Sequence, residues 1–233
     1  YLNDCEGGFV ESIRSASGHT SRFSMGVDAA DFDNDLRPDV FVADMLPERE
    51  EILKTSANAE PFNIFELRMR AGYHPQYARN TLQLNRGAGR FSEVGYLAGV
   101  HATDWSWSGL FADLDLDGYK DIYIANGIKR RSNDMDYIKY ISNDAIQHRL
   151  EGDLTDEDLA LVEKMPVVKI PNYAFKNNGD LTFSDVSKDW GLNHNSFSNG
   201  AIYVDLDNDG DLDLVTNNID EQAFVYRNNT ITE

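Results

Sequence analysis

The sequence predicts an all-β protein that is assembled from repeated units. A unit of about 45 residues occurs three times in the chain, and repeats with this period are typical of propellers and solenoids. Each unit contains a short acidic loop between two segments rich in β-branched and aromatic residues, which is the pattern of two strands joined by a loop. The stretches between the units lack this pattern and are expected to be insertions.

The acidic loops carry aspartate at positions 1, 3, 5 and 9 of a nine-residue stretch. Four carboxylates this close repel one another unless a cation lies between them, and oxygen ligands at alternate positions of a tight loop suit Ca²⁺. The backbone carbonyl at position 7 is expected to complete the shell. The sequence therefore predicts up to three Ca²⁺ ions and no other cofactor. The predicted metal ligands are Asp31, Asp33, Asp35, Arg37 and Asp39 in the first loop, Asp113, Asp115, Asp117, Tyr119 and Asp121 in the second, and Asp205, Asp207, Asp209, Asp211 and Asp213 in the third.

These loops differ from EF-hands, which need a bidentate glutamate at position 12 and a helix on either side. Position 12 is occupied here by Val42, Ile124 and Thr216. Each loop leads into a short run of β-forming residues, such as residues 122–125. The pattern predicts a strand, a metal loop and a second strand, with the metal closing the hairpin.

The register of the repeat is constant outside the loops as well. A phenylalanine stands 22 residues before the first aspartate of every loop, and an asparagine stands six residues before that phenylalanine. These residues are Phe9, Phe91 and Phe183, and Asn3, Asn85 and Asn177. The repeats therefore span about residues 1–46, 80–127 and 172–229. The insertions span about residues 45–79 and 128–171.

Both insertions are expected to be helical. Pro47 and Pro61 each precede a helix-forming stretch, because proline is favoured in the first turn of a helix. Over residues 134–150, Ile138, Ile141 and Ala145 fall on one helical face. Both insertions leave their repeat at the same point, so they are expected to lie side by side. They serve either as a cover for the strands or as a surface for a partner.

The repeats resemble FG-GAP/VCBS repeats, which form the blades of integrin-α-like β-propellers. The closer resemblance, carried by residues 79–85, 102–107 and 133–137, is to bacterial exported proteins of the cartilage-acidic-protein type. The resemblance implies that residues 1–233 form a partial β-propeller, because three blades cannot close a ring. The chain is thus expected to be an open part of a larger propeller, with two helical insertions.

The first acidic loop departs from the family pattern at position 6. The second and third loops have Gly118 and Gly210 there, as the family usually does, whereas the first has Leu36. This position favours a positive φ, which is costly for a residue with a branched side chain. The first site is therefore expected to be the weakest of the three.

Charge excludes several classes of partner. The chain has 40 acidic and 21 basic residues and a net charge of −19, which argues against nucleic acid and anionic membrane surfaces. The basic triplet at residues 129–131 is interpreted as a solvated turn. No run approaches the roughly 18 apolar residues of a membrane span.

The predicted function is that of a calcium-binding module outside the cytoplasm: extracellular, at the cell surface or periplasmic. It would bind a protein or a glycan in adhesion or assembly. The alternative is the propeller domain of a carbohydrate-active lyase or hydrolase, although no nucleophile motif or phosphate-binding loop supports catalysis. An acidic residue beside a histidine in a pocket would favour the enzyme. An exposed aromatic surface near Trp107 would favour a glycan ligand, and a broad apolar patch on the insertions a protein partner.

Overall fold

The computed structural model describes residues 1–57, 60–150 and 156–231, and these residues form mostly antiparallel sheets with a few short helices. In chain order the strands are β1 (Leu2–Asn3), β2 (Phe9–Val10), β3 (Thr20–Ser21), β4 (Gly26–Ala30), β5 (Asp39–Ala43), β6 (Gln76–Tyr77), β7 (Thr81–Asn85), β8 (Phe91–Glu93), β9 (Ser106–Ala112), β10 (Asp121–Asn126), β11 (Ile170–Pro171), β12 (Tyr173–Asn177), β13 (Phe183–Asp185), β14 (Asn195–Ser196), β15 (Ser198–Val204), β16 (Asp213–Asn218) and β17 (Phe224–Tyr226). The helices are α1 (Ile13–Ala16), α2 (Glu50–Thr55), α3 (Phe62–Arg70), α4 (Gly95–Ala98), α5 (Met135–Ile141), α6 (Asp144–Leu150), α7 (Asp156–Leu159) and a 3-10 turn (Val162–Lys164).

The sheets repeat one plan. Strands β4, β5, β7 and β8 form the first four-stranded sheet, and strands β9, β10, β12 and β13 form the second in the same order. Strands β15, β16 and β17 form a third sheet with the same first three members, and β1 pairs with β2 as β7 pairs with β8. The repeat asparagine faces the repeat phenylalanine across each outer pair. These pairs are Asn3 with Phe9, Asn85 with Phe91 and Asn177 with Phe183.

Successive sheets pack through their first strands, which gives a propeller-like, all-β arrangement as predicted. Strand β4 packs against β9, and β9 packs against β15. The core between the first two sheets includes Phe41 and Phe111, whose rings meet edge to face with centroids 6.3 Å apart. Gly109 allows this approach, because a Cβ at that position would lie 2.3 Å from the ring of Phe41.

The acidic loops and the insertions lie at opposite ends of the sheets. Each loop joins the first strand of a sheet to the second, as residues 31–38 join β4 to β5, whereas each insertion follows the second strand. The first insertion contains α2 and α3, and α3 begins directly after Pro61, as predicted. The expected helical stretch 134–150 is interrupted at residues 142–143, so it forms α5 and α6. None of the described helices is long and apolar enough to cross a membrane.

Arg131, the last residue of the basic triplet at residues 129–131, is buried, so the interpretation of the triplet as a solvated turn is wrong for this residue. The side chains of Arg131 and Asp104 are only 4% and 2% exposed, and they form a two-point ion pair in which Nη1 and Oδ1 are 3.1 Å apart. Lys129 pairs with Asp220, near the third sheet. The spacing of charges along the chain could not reveal these contacts, because the partners are distant in sequence.

Candidate metal centre

The structure brings three carboxylates together in every acidic loop. In each group the three residues offer oxygens that all lie within 4.8 Å of one another. The groups are Asp31, Asp33 and Asp39; Asp113, Asp115 and Asp121; and Asp205, Asp207 and Asp209. Two predicted ligands, Asp35 and Asp117, lie outside the first and second groups, and Asp213 lies outside the third. We refer to these three groups as the carboxylate triads.

The aspartate at position 9 fastens each loop to the sheet. Asp121 is 0% exposed, and its two carboxylate oxygens accept hydrogen bonds from the backbone N–H groups of Leu114 (3.0 Å) and Asn177 (3.0 Å). Burial raises the pKa of Asp121 to about 6 in spite of these bonds. Asp39 and Asp213 have equivalent pairs of backbone donors. These residues therefore have a structural role in addition to any role as ligands.

Several carboxylate oxygens of the second and third loops are buried and have no hydrogen-bond donor among the described residues. They are Oδ1 of Asp113, Asp115, Asp205 and Asp211, and Oδ2 of Asp209. Leaving a charged oxygen without a partner in the interior is costly, so these atoms fit a cation. In the first loop both oxygens of Asp31 accept backbone N–H bonds, from Asp35 (3.0 Å) and Leu36 (2.8 Å).

The loop backbone adopts a left-handed conformation at positions 4 and 6. Leu36 has φ 68°, where Gly118 and Gly210 have φ 94° and 100°. The predicted positive φ at position 6 is confirmed. The positive φ at position 4 was not predicted: Leu116 has φ 58° there, and the other two loops have asparagine, which tolerates this conformation better.

The residues at position 7 help to shape the loop. The backbone N–H groups of Arg37, Tyr119 and Asp211 each donate to the aspartate at position 5, over 2.9, 3.0 and 3.1 Å. In the first loop the side chain of Arg37 also pairs with Asp35. The backbone at position 7 is therefore tied to the aspartate at position 5 in every loop.

The asparagines of the repeat have a role that the spacing alone did not reveal. The Nδ2 of Asn177 donates to the carbonyls of Lys120 (3.0 Å) and Phe32 (2.8 Å), so it bridges the second loop and the first. Asn228, at the equivalent position, donates to Leu212 and Leu114. Asn177 and Asn228 therefore each connect the acidic loop of their own sheet to that of the preceding sheet.

The features that would indicate a glycan ligand or an enzyme have structural roles in this fold. Trp107 is half-buried, and its indole N–H donates to the carbonyl of Gly127 at 2.6 Å, so the fold holds the ring in place. His19 and Glu93 form a histidine–carboxylate pair at 3.2 Å outside the loops. The other oxygen of Glu93 accepts the backbone N–H of Gly95 at 2.7 Å, which starts helix α4.

The fold and the acidic loops define an all-β, propeller-like repeat protein with clusters of carboxylates that could hold a metal. The FG-GAP-like repeat family matches residues 71–124 and 156–216, and no curated protein matches the chain. The chain therefore contains FG-GAP-like repeats, and the resemblance to this repeat family is confirmed. The closer likeness to the cartilage-acidic-protein type remains a prediction. FG-GAP repeats generally occur in extracellular or exported proteins as binding modules, and they often bind calcium.

Proposed function

We propose that the chain is a calcium-binding, extracellular or cell-surface propeller module that binds a protein or a glycan. The carboxylate triads carry the calcium part of this proposal. Every triad consists of oxygen ligands alone, and oxygen-only ligand sets favour Ca²⁺ over metals that prefer nitrogen or sulfur. The buried carboxylate oxygens without donors in the second and third loops support it further.

The role of the metal in this proposal is structural. The three triads would hold calcium with the backbone of position 7, and the ion would neutralise the mutual repulsion of the aspartates. Extracellular calcium modules have Kd values of roughly 10⁻⁴ to 10⁻³ M, so the millimolar calcium outside cells would fill such sites. The proposed location and the proposed affinity therefore agree.

The ligand-binding part of the proposal rests on the two insertions. They touch each other, because the backbone N–H of Ala57 donates to the carbonyl of Asn133 at 2.7 Å and Ser56 forms a β-bridge with Asp134. Large apolar side chains on these segments are exposed. They are Phe62, Ile64, Leu67, Tyr73, Met135 and Tyr140. We propose that this joined surface engages the partner over an area of about 800 Å², as in a standard interface.

The catalytic alternative receives less support from the structure. His19 and Glu93 are the kind of pair that would favour it, but Arg79 lies 2.8 Å from His19 and 3.0 Å from Glu93. Because Glu93 also fixes the start of α4, these three residues stabilise the fold. We therefore retain the binding module as the proposed function.

Calcium dependence is tested by thermal unfolding of the full chain in EGTA and in excess CaCl₂, with MgCl₂ as the control ion. At a free calcium concentration ten times the Kd, each site should add about 1.4 kcal/mol to the free energy of unfolding. One kcal/mol corresponds to roughly 2–4 °C in Tm for a chain of this size. An identical Tm in EGTA and in CaCl₂ would rule out structural calcium.

The binding surface is tested on glycan and surface-protein arrays. The double variant Phe62→Ala and Tyr73→Ala should lose binding while keeping the wild-type Tm, because both side chains are more than half exposed. Val225→Ala is the control, since Val225 is 63% exposed but lies outside the insertions. A further variant replaces each insertion with the short connection of residues 217–222. Undiminished binding by that folded variant would place the binding site on the strands.

A further inference from the structure

The position just before the repeat asparagine differs between the three loops. It is Leu84 in the first sheet, Lys176 in the second and Arg227, just after the last strand, in the third. The ammonium group of Lys176 contacts Asp115 and lies 2.7 Å from Asp117. The second and third sheets thus each direct a basic side chain from the third strand, or from just after it, to the acidic loop.

Arg227 makes the equivalent contacts in the third loop. Its Nη2 lies 2.7 Å from Oδ2 of Asp207 and 3.7 Å from Oδ2 of Asp209. Both aspartates belong to the third carboxylate triad, as Asp115 belongs to the second. The two basic residues are therefore in contact with the groups that would hold calcium.

The first loop lacks this arrangement. Leu84 is 1% exposed and packs in the core, so it cannot supply a charge to the loop. Arg37 pairs with Asp35, which is outside the first triad. Among the described residues, the triad of Asp31, Asp33 and Asp39 consequently has no ion-pair partner.

We propose that Lys176 and Arg227 are tethered counter-ions that compete with calcium at the second and third loops. This inference rests on the proposed calcium binding. A fixed ammonium or guanidinium group repels a divalent cation at a few ångströms, and it uses carboxylate oxygens that the cation needs. The basic side chain must move away before the ion can be fully coordinated. Lys176 can do so, because its side chain is 33% exposed.

The competition has two consequences of opposite sign. Without calcium, the basic residue reduces the repulsion among the aspartates and so stabilises the folded loop. With calcium, its displacement weakens the affinity of the site. A purely structural lysine would affect the stability alone, so a change in affinity distinguishes the two roles.

The test compares Lys176→Met with Lys188→Met, a control at an exposed lysine of the same repeat that forms no ion pair in the described structure. Calcium affinity is measured by calorimetry. Every protein also carries Asp33→Asn and Asp207→Asn, which disable the first and third loops, so that only binding at the second loop is measured. Lys176→Met should bind calcium about two- to fivefold more tightly, since exposed ion pairs contribute energies of that size. It should also have a lower Tm in EGTA.

Two further variants make the result decisive. Lys176→Arg keeps the charge and should retain the original affinity, whereas tightening equal to that of Lys176→Met would overturn the proposal. Arg227→Met, measured with the first and second loops disabled, should tighten the third site. If the parent binds calcium and Lys176→Met has the affinity of Lys188→Met, the counter-ion proposal fails while calcium binding stands. If no protein, wild type included, takes up calcium, the proposed function fails first.

Discussion

The side-chain amide of Asn177 donates a hydrogen bond of 2.8 Å to the backbone carbonyl of Phe32, across 145 residues of sequence. Phe32 follows the first aspartate of the first acidic loop, and Asn177 ends the third strand of the second sheet. The same side chain donates to Lys120 in the second loop. Adjacent loops are thereby held together at one end of the sheets.

Replacing this bridge should destabilise the fold. Asn177 is 3% exposed, so Asn177→Ala leaves two carbonyls short of a donor and should cost about 1–3 kcal/mol in unfolding free energy. Asn193→Ala is the control, because Asn193 is exposed. Urea unfolding in EGTA measures both variants. Equal stability of the two would show that the bridge contributes nothing.

The ion pair of Arg131 and Asp104 should be costly to break from one side. Arg131→Met leaves a buried carboxylate without its counter-ion and should destabilise by about 3–5 kcal/mol. The double variant Arg131→Met and Asp104→Leu should recover most of this loss, because replacing both partners by apolar groups is close to neutral. Lys129→Met removes an exposed pair and should cost about 1 kcal/mol or less. Urea unfolding measures all three, and a double variant no better than Arg131→Met would contradict this account.

The left-handed positions of the loops should respond to residue type. Leu36→Gly should tighten calcium binding at the first loop, because it relieves roughly 1–2 kcal/mol of backbone strain. Leu116→Asn should raise the Tm, since asparagine occupies the equivalent position in the other loops. Leu206→Gly is the control, because Leu206 is an exposed leucine of the third loop whose φ is not positive. This substitution should lower the Tm, since glycine has no strain to relieve there and adds entropy to the unfolded chain. Calcium titration and thermal unfolding provide the readouts, and weaker binding by Leu36→Gly would refute the argument from φ.

Two histidines should contribute stability that is lost as the pH is lowered below about 6.5. Burial and the neighbouring Arg79 hold the pKa values of His19 and His101 below the ordinary value of 6.5, and these effects outweigh the attraction of Glu93. Between the lowered pKa and 6.5 the unfolded chain binds more protons than the folded one, so stability rises with pH across this window.

The double variant His19→Gln and His101→Gln should flatten that dependence relative to the wild type. Thermal unfolding in EGTA at pH 7.5 and 5.5 measures the slope without a contribution from bound metal. A double variant with the wild-type slope would assign the pH dependence to other groups.

The parts of the account that depend on local chemistry were predictable from the sequence. The strand–loop–strand pattern and the positive φ of Leu36 follow from constant spacing and from the conformational preferences of single residues. The helical start after Pro61 follows in the same way.

The contacts that connect distant segments were not predictable. The residues next to Arg131 in the sequence are those expected of a solvated turn. Only the path of the second insertion in the folded chain brings Arg131 to Asp104. The position before the repeat asparagine is occupied by three different residue types, so the contact of Lys176 with Asp115 has no repeated signal. The break at residues 142–143 likewise interrupts a stretch whose periodicity is continuous.

Counting bound calcium by equilibrium dialysis tests the central claim most directly. The wild-type chain should approach three ions per chain at saturation, one for each carboxylate triad. Asp33→Asn, Asp115→Asn and Asp207→Asn should each bind one ion fewer. No uptake by the wild type at 10 mM calcium, about ten times the weaker Kd expected for such sites, would contradict the account.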